Sequence, residues 1–165
     1  MKGIIFILVI AAASLGQLRS QDITEFDADK LEQLLKIRDG KLHVINFWAT
    51  WCGPCVTELP HFEKLMDEYP EDQVVFHFIS LDFASSVKTS LIPFIEDRRM
   101  KSNVVLMTDT DYDRWIRMVD SDWKGNIPAT LVLDGKSGSK EFHSGTLNYE
   151  SLKDMINNHL KIQLK

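Results

Sequence analysis

Two cysteines, Cys52 and Cys55, are the residues of this sequence with the greatest capacity for chemistry. They are its only cysteines, and they stand three residues apart in the segment WCGPC (residues 51–55). A pair at this spacing can close a disulfide within one turn of a helix. The thiolate of such a cysteine can attack the disulfide of another molecule. The spacing therefore indicates thiol–disulfide exchange.

Two other roles for a cysteine pair fit the sequence less well. A structural zinc ion usually takes four Cys or His ligands, but the chain has no second Cys-x-x-Cys motif, and its five histidines are scattered. We therefore predict no metal site. An inert structural disulfide is the other alternative. A bond across three residues closes a very small loop and so constrains little of the unfolded chain, which makes that role weak.

The elements around the pair determine which cysteine attacks. The run 43–49 (HVINFWA) is apolar like a buried strand, and from Cys52 to Tyr69 apolar residues recur at helical spacing. A cysteine at a helix N-terminus faces unpaired backbone N–H groups and the positive end of the helix dipole. We therefore expect a lowered pKa for Cys52 and assign the attack to it. Cys55 lies further inside the helix and should resolve the mixed disulfide.

The two residues between the cysteines suit this arrangement. Pro54 fits the first turn of a helix, where its missing N–H is not needed. Gly53 has no side chain that could hinder access to the pair.

Strands and helices alternate along the rest of the chain. Asp27 is a plausible N-cap of a short helix that ends before Asp39 and Gly40. The alternation predicts an α/β fold whose sheet is covered by helices on both faces. Further strands are predicted at 74–81, 103–107, 129–133 and 140–143, and further helices at 86–99, 112–119 and 149–160.

The N-terminus has the composition of a targeting segment. Residues 1–20 contain Lys2, an unbroken apolar run from Ile4 to Ala13 and no acidic residue. This layout predicts a secretory signal peptide, with an uncleaved anchor as the alternative. Residues 21–165 then form one exported domain, located in the periplasm or cell envelope of a Gram-negative host and otherwise secreted. The net charge of −5 makes nucleic acid an unsuitable partner.

Two stretches of the sequence resemble a known family. NFWATWCGPCVTELPHFEKL and WKGNIPATLVLDGKSG are similar to the thioredoxin superfamily and, more closely, to exported TlpA/ResA-like thiol–disulfide oxidoreductases. The resemblance implies a thioredoxin fold, with a central mixed β-sheet and helices on both faces. It also implies a cis peptide before Pro128, pairing of the Ile127 backbone with a bound client strand, and a role for Trp51 in flanking the thiol site.

The sequence departs from cytoplasmic thioredoxins at one position. Those proteins carry a buried aspartate on the strand before the motif, where this chain has Asn46, which cannot exchange protons at neutral pH. Glu58 lies three residues after Cys55 on the adjoining helical turn, and TlpA/ResA-like proteins also have a Glu there. We expect Glu58 to be partly buried, with a raised pKa, and to act as the base. An exposed helix Glu is the alternative.

The resemblance favours an enzyme that reduces protein disulfides with no cofactor besides the Cys52–Cys55 pair. Its expected partners are protein disulfide clients and a separate, membrane-borne thiol donor, since the sequence holds no third cysteine to relay electrons. The alternatives are a disulfide oxidase or isomerase and a redox-inactive binding module. Residues 48–50 lack the threonine spacing of a peroxide-reducing enzyme. The segment 83–120 makes the chain longer than a minimal thioredoxin.

Overall fold

A mixed sheet of six strands lies at the centre of the fold. The computed structural model describes residues 23–163, so the signal peptide predicted at residues 1–20 lies outside the described residues. The strands are β1 (Thr24–Phe26), β2 (Leu42–Trp48), β3 (Val74–Ser80), β4 (Val104–Met107), β5 (Ala129–Asp134) and β6 (Lys140–Ser144). Their order is β1-β4-β3-β2-β5-β6. The first four in this order are parallel, and β5 and β6 are antiparallel to their neighbours.

Helices cover both faces of the sheet, which confirms the predicted architecture. The helices are α1 (Ala28–Leu35), α2 (Gly53–Glu68), α3 (Ile92–Arg98), α4 (Tyr112–Val119) and α5 (Tyr149–Gln163). One hydrophobic cluster contains buried side chains of α1 and α4, and a second contains those of α2, α3 and α5. None of the helices within residues 23–163 has the length and apolar character to cross a membrane.

Strand β2 contributes side chains to both clusters. Val44 and Trp48 belong to the cluster under α2, whereas Ile45 and Phe47 belong to the cluster under α1 and α4. This alternation follows from the period of two along a strand. Asn46 therefore points to the α2 face, and this placement decides its role at the site described below.

The boundaries of most elements match the sequence prediction, with two exceptions. The three-residue strand β1 was not predicted, because it is too short to show a hydrophobic period and forms through pairing with β4. The helix predicted at 86–99 is a 3₁₀ turn (Ala84–Ser86), a π-helical turn (Val87–Leu91) and α3 in succession. Pro93 lies in the first turn of α3, directly after the π-helical turn.

The aromatic packing under α4 predicts that alanine substitutions at Trp115 and Tyr112 lower the free energy of unfolding by very different amounts. Trp115 is buried against Phe47 and Trp123, with ring centroids 6.0 and 5.6 Å away. We expect Trp115→Ala to lower the free energy of unfolding by about 3–5 kcal/mol through the cavity it leaves. Tyr112→Ala, three residues earlier but exposed, should change it by only about 0.5 kcal/mol. Urea unfolding of the two variants measures both values, and equal losses would contradict this packing.

Candidate active site

The cysteine pair lies at the junction between the end of β2 and the start of α2. β2 ends at Trp48, and the backbone N–H of Cys52 donates to the carbonyl of Ala49 at 3.1 Å, which closes the intervening turn. Cys52 is the N-cap of α2, as the sequence predicted. It is joined by a disulfide to Cys55, and the two Cα atoms are 5.3 Å apart. The chain thus presents a disulfide at a helix N-terminus.

The two sulfur-bearing residues differ in accessibility. Cys52 is 7% exposed and Cys55 is fully buried. Gly53 and Pro54 are exposed beside them, and no described atom lies within 4 Å of where a side chain at Gly53 would begin. A molecule arriving from solvent therefore reaches the sulfur of Cys52 first.

The backbone of α2 points a donor at the more accessible sulfur. The N–H of Cys55 donates to Sγ of Cys52 at 3.3 Å. The first turn of α2 carries no acidic side chain, so nothing within that turn opposes the positive end of the helix dipole. When the disulfide is reduced, these same groups favour negative charge on Cys52.

Asp82 connects the turn before Cys52 to the end of β3 by hydrogen bonds. Sequence reasoning did not identify this residue. Its buried carboxylate accepts hydrogen bonds from the backbone N–H and the hydroxyl of Thr50, at 3.0 and 2.5 Å. It also accepts one from the Ser80 hydroxyl at 2.8 Å. The available signal was an acidic residue directly after a strand predicted to end at Leu81, beside the carboxyl end of β2.

Glu58 is fully buried on the helical turn that follows Cys55. Its Oε2 accepts a hydrogen bond from the backbone N–H of Leu147 at 2.8 Å, and its Oε1 accepts one from Nδ2 of Asn46 at 2.9 Å. Burial raises the pKa of Glu58 above its ordinary value of 4.5, although both hydrogen bonds act in the opposite direction. The alternative of an exposed helix Glu is therefore wrong.

Asn46 connects this carboxyl group to the strand that follows the proline loop. Its Nδ2 also donates to Oγ1 of Thr130 at 3.2 Å, whereas its buried Oδ1 has no partner within the described part of the chain. The side chain of Asn carries a donor and an acceptor on one rotatable group. Rotation of the amide would therefore let Asn46 serve either the ionised or the protonated form of Glu58.

The proline loop lies beside the end of β2. The peptide between Ile127 and Pro128 is cis, as the resemblance implies, and the antiparallel register of β2 and β5 puts Pro128 level with Trp48. Ile127 packs against both hydrophobic clusters. Within residues 23–163, its backbone N–H and carbonyl take part in no hydrogen bond, so both are available to an extended segment bound there.

The remaining sequence-predicted residue, Trp51, is 58% exposed next to the pair. The structure therefore brings Cys52, Cys55, Glu58 and the loop at Pro128 together at the carboxyl end of β2, with Trp51 on the surface. Among residues 23–163, no group of three or more His, Cys, Asp and Glu side chains has the arrangement of a metal site.

Comparison with known proteins agrees with this geometry. The model of the AhpC/TSA family matches residues 17–138. The chain belongs to this family. Within the AhpC/TSA family it is a TlpA/ResA-like member of the thioredoxin superfamily, as predicted.

Individual members and structures show the same likeness. The thioredoxin-like protein YneN of Bacillus subtilis is 30% identical over 125 residues, which cover 71% of this chain and 64% of YneN, less than two thirds of its length. The thiol-disulfide oxidoreductase ResA of Halalkalibacterium halodurans is 22% identical over 134 residues, 81% of this chain and 70% of that protein. The structure of a thioredoxin-related protein from Neisseria meningitidis serogroup B matches with a TM-score of 0.64 at 25% identity, covering 78% of this chain and 90% of that one. The fold is therefore the thioredoxin fold.

The raised pKa of Glu58 has a consequence for stability. Between 4.5, its ordinary pKa, and its higher pKa in the folded protein, the folded state holds a proton that the unfolded state has lost. The free energy of unfolding contributed by Glu58 is therefore fully present below pH 4.5 and falls as the pH rises through the folded pKa. Urea unfolding of the oxidised protein should show this fall relative to Glu58→Gln. A difference between the two proteins that does not change with pH would mean that the carboxyl group titrates normally.

Proposed function

We propose that this AhpC/TSA-family protein is an exported thiol–disulfide oxidoreductase that reduces the disulfides of client proteins. The observation that supports this most is the unequal burial of the two cysteines at the N-terminus of α2. Only Cys52 meets solvent, and the N–H of Cys55 points at its Sγ. A purely structural disulfide has no need of this asymmetry, whereas a nucleophile and a resolving thiol require it.

The first step of the proposed reaction uses the Cys52 thiolate. It attacks one sulfur of the client disulfide, so a bond forms between Cys52 and the client as the client's own disulfide bond breaks. The second client sulfur leaves as a thiolate and takes a proton from solvent. The free backbone groups of Ile127 would hold the client strand beside Cys52 during the attack.

The second step uses Cys55 and Glu58. The Glu58 carboxylate takes the proton of the Cys55 thiol, and the resulting thiolate attacks Sγ of Cys52. The bond between Cys52 and the client breaks, and the client leaves with both sulfurs reduced. The pair is then oxidised by two electrons. Because Glu58 is buried, the proton stays close to the thiols, and Asn46 can hydrogen-bond to the carboxyl group in either state.

The direction of electron flow and the location are parts of the same proposal. The sequence holds no third cysteine, so the pair must be reduced again by a separate thiol donor, which we place at the membrane. The apolar N-terminal run supports export. The direction depends on the reduction potential of the pair relative to that of its compartment, so a redox titration against glutathione separates a reductase from an oxidase or isomerase.

Substitution of each cysteine tests the assigned roles. We expect the reduced protein to catalyse insulin reduction, and both Cys52→Ser and Cys55→Ser to abolish turnover. Cys55→Ser should accumulate a mixed disulfide with client proteins, visible on a non-reducing gel, because nothing resolves it. Cys52→Ser should trap little, since Cys55 is buried. Equal trapping by the two variants would contradict the roles, and wild-type protein inactive on insulin would favour a redox-inactive binding module.

The pH dependence of the resolving step tests Glu58. In the wild type, the rate of release of the mixed disulfide should rise as Glu58 ionises, at a pH above its ordinary pKa of 4.5. In Glu58→Gln, the rate should fall by about 100-fold near neutral pH and rise only when Cys55 ionises unaided. The exposed Glu71→Gln serves as the control and should keep the wild-type profile. An unchanged profile in Glu58→Gln would remove this residue from the mechanism.

A further inference from the structure

Three large hydrophobic side chains stand exposed at one edge of the sheet. Within residues 23–163 these are Trp51, Phe83 and Tyr112, with exposed fractions of 58%, 65% and 58%. Each follows the carboxyl end of a strand, namely β2, β3 and β4 in turn. Because these strands are parallel neighbours, their carboxyl ends meet at the same edge, where the Cys52–Cys55 disulfide also lies.

The first two of these side chains follow neighbouring strands at the same level. In the register of β2 and β3, Trp48 is opposite Ser80, and Trp51 and Phe83 each lie three residues further on. The hydrogen bonds from Thr50 to Asp82 join the two segments immediately before them. The buried carboxylate of Asp82 therefore ties the segment before Phe83 to the segment before Trp51, which precedes Cys52 in the chain.

A cavity joins the second side chain to the third. Phe83 and Tyr112 line the same space of about 190 Å³, whose apolar walls include Leu81 and Met107. Tyr112 is held in place as the first residue of α4, with its ring centroid 6.1 Å from that of the buried Trp115. We call these exposed rings at one end of the sheet the aromatic edge (Trp51, Phe83 and Tyr112). Phe83 and Tyr112 share the cavity, and Trp51 follows the neighbouring strand β2.

The far end of the aromatic edge carries negative charge. Asp109, Asp111 and Asp113 surround Tyr112 in the chain, and Asp109 lines the cavity. Arg114 is shared between Asp29 and Asp109, and Arg117 lies 3.8 Å from Asp113, so two arginines stand among four aspartates and offset only part of this charge. A positively charged group bound at this end would interact favourably with these carboxylates.

We propose that the aromatic edge is client-binding surface on the β3 side of Cys52, in addition to the Ile127 backbone on the β5 side. It takes an extended client segment with apolar side chains close to the reacting cysteine and a basic residue beyond them. The proposal rests on the proposed function, because the edge begins at Cys52. From β2 to β4 the aromatic edge spans two interstrand distances, about 10 Å in total, which is the length of about three extended residues. The apolar side chains of the client should therefore lie within about three positions of its cysteine. Exposed aromatic rings are the side chains that contribute most at protein interfaces.

Synthetic peptides test the proposal on the full-length protein in a single turnover. Each peptide carries one cysteine as a mixed disulfide with 2-mercaptoethanol, and the pre-reduced protein supplies both electrons. The first peptide has two leucines within three positions of the cysteine and a lysine beyond. The second replaces the leucines with serines, and the third replaces the lysine with glutamate. Hydroxyethyl disulfide is the small substrate without a peptide. Acid quenching and mass spectrometry give the rate at which the protein is oxidised.

We expect the leucine–lysine peptide to react about tenfold faster than the serine peptide, and its advantage over the glutamate peptide to shrink as salt rises. In the double variant Phe83→Ala/Tyr112→Ala, the ratio of the rate on the leucine–lysine peptide to that on the serine peptide should fall about tenfold. The rate with hydroxyethyl disulfide should stay at the wild-type value. The control is Tyr149→Ala, an aromatic residue whose hydroxyl contacts Glu68 at the far end of α2, and it should behave as wild type.

The outcomes separate this proposal from the proposed function. Equal rates on the leucine and serine peptides, or a leucine preference that survives in the double variant, would overturn the aromatic edge as a client-binding surface and leave the oxidoreductase intact. A wild-type protein that reacts with neither the peptides nor hydroxyethyl disulfide would overturn both.

Discussion

The chemistry of this protein depends on a single hydrogen bond at the start of α2, from the N–H of Cys55 to Sγ of Cys52. Its geometry exists because β2 stops at Trp48 and the turn that follows is tied to the neighbouring strand by Asp82. The same turn leaves Cys52 7% exposed and Cys55 fully buried. The backbone N–H groups and helix dipole at this position favour an anionic sulfur on Cys52 once the disulfide is reduced.

A second constraint is the burial of a carboxyl group beside these sulfurs. Burying Glu58 disfavours its ionised form, and the fold limits this penalty with donors from Asn46 and Leu147. A surface carboxylate would titrate in water and exchange protons with solvent. In the proposed mechanism, a carboxyl group of raised pKa on the turn after Cys55 takes up and returns the proton locally. Asn46, at the β2 position where cytoplasmic thioredoxins have an aspartate, supports this carboxyl group by a hydrogen bond.

Local sequence patterns predicted most of the elements because each pattern reports on its own neighbourhood. Asp27 and Asp111 accept hydrogen bonds from N–H groups three residues later, so both helix starts are visible in the sequence. The apolar run of β2 and the helical period of α2 located the site itself. The strand β1 and the π-helical turn before α3 were missed, since their conformation is set by β4 and by packing rather than by local preference.

The sequence by itself located the cysteine pair, its place at a helix N-terminus and the proline loop, because Cys-x-x-Cys at a strand–helix junction and the stretch around Pro128 are short-range signals. Only the tertiary structure decided that Glu58 is buried. Its partners Asn46 and Leu147 are 12 and 89 residues away in the chain, and no pattern in the sequence measures that separation in space. The same holds for Trp51, Phe83 and Tyr112, which stand together because parallel strands bring distant loops to one edge.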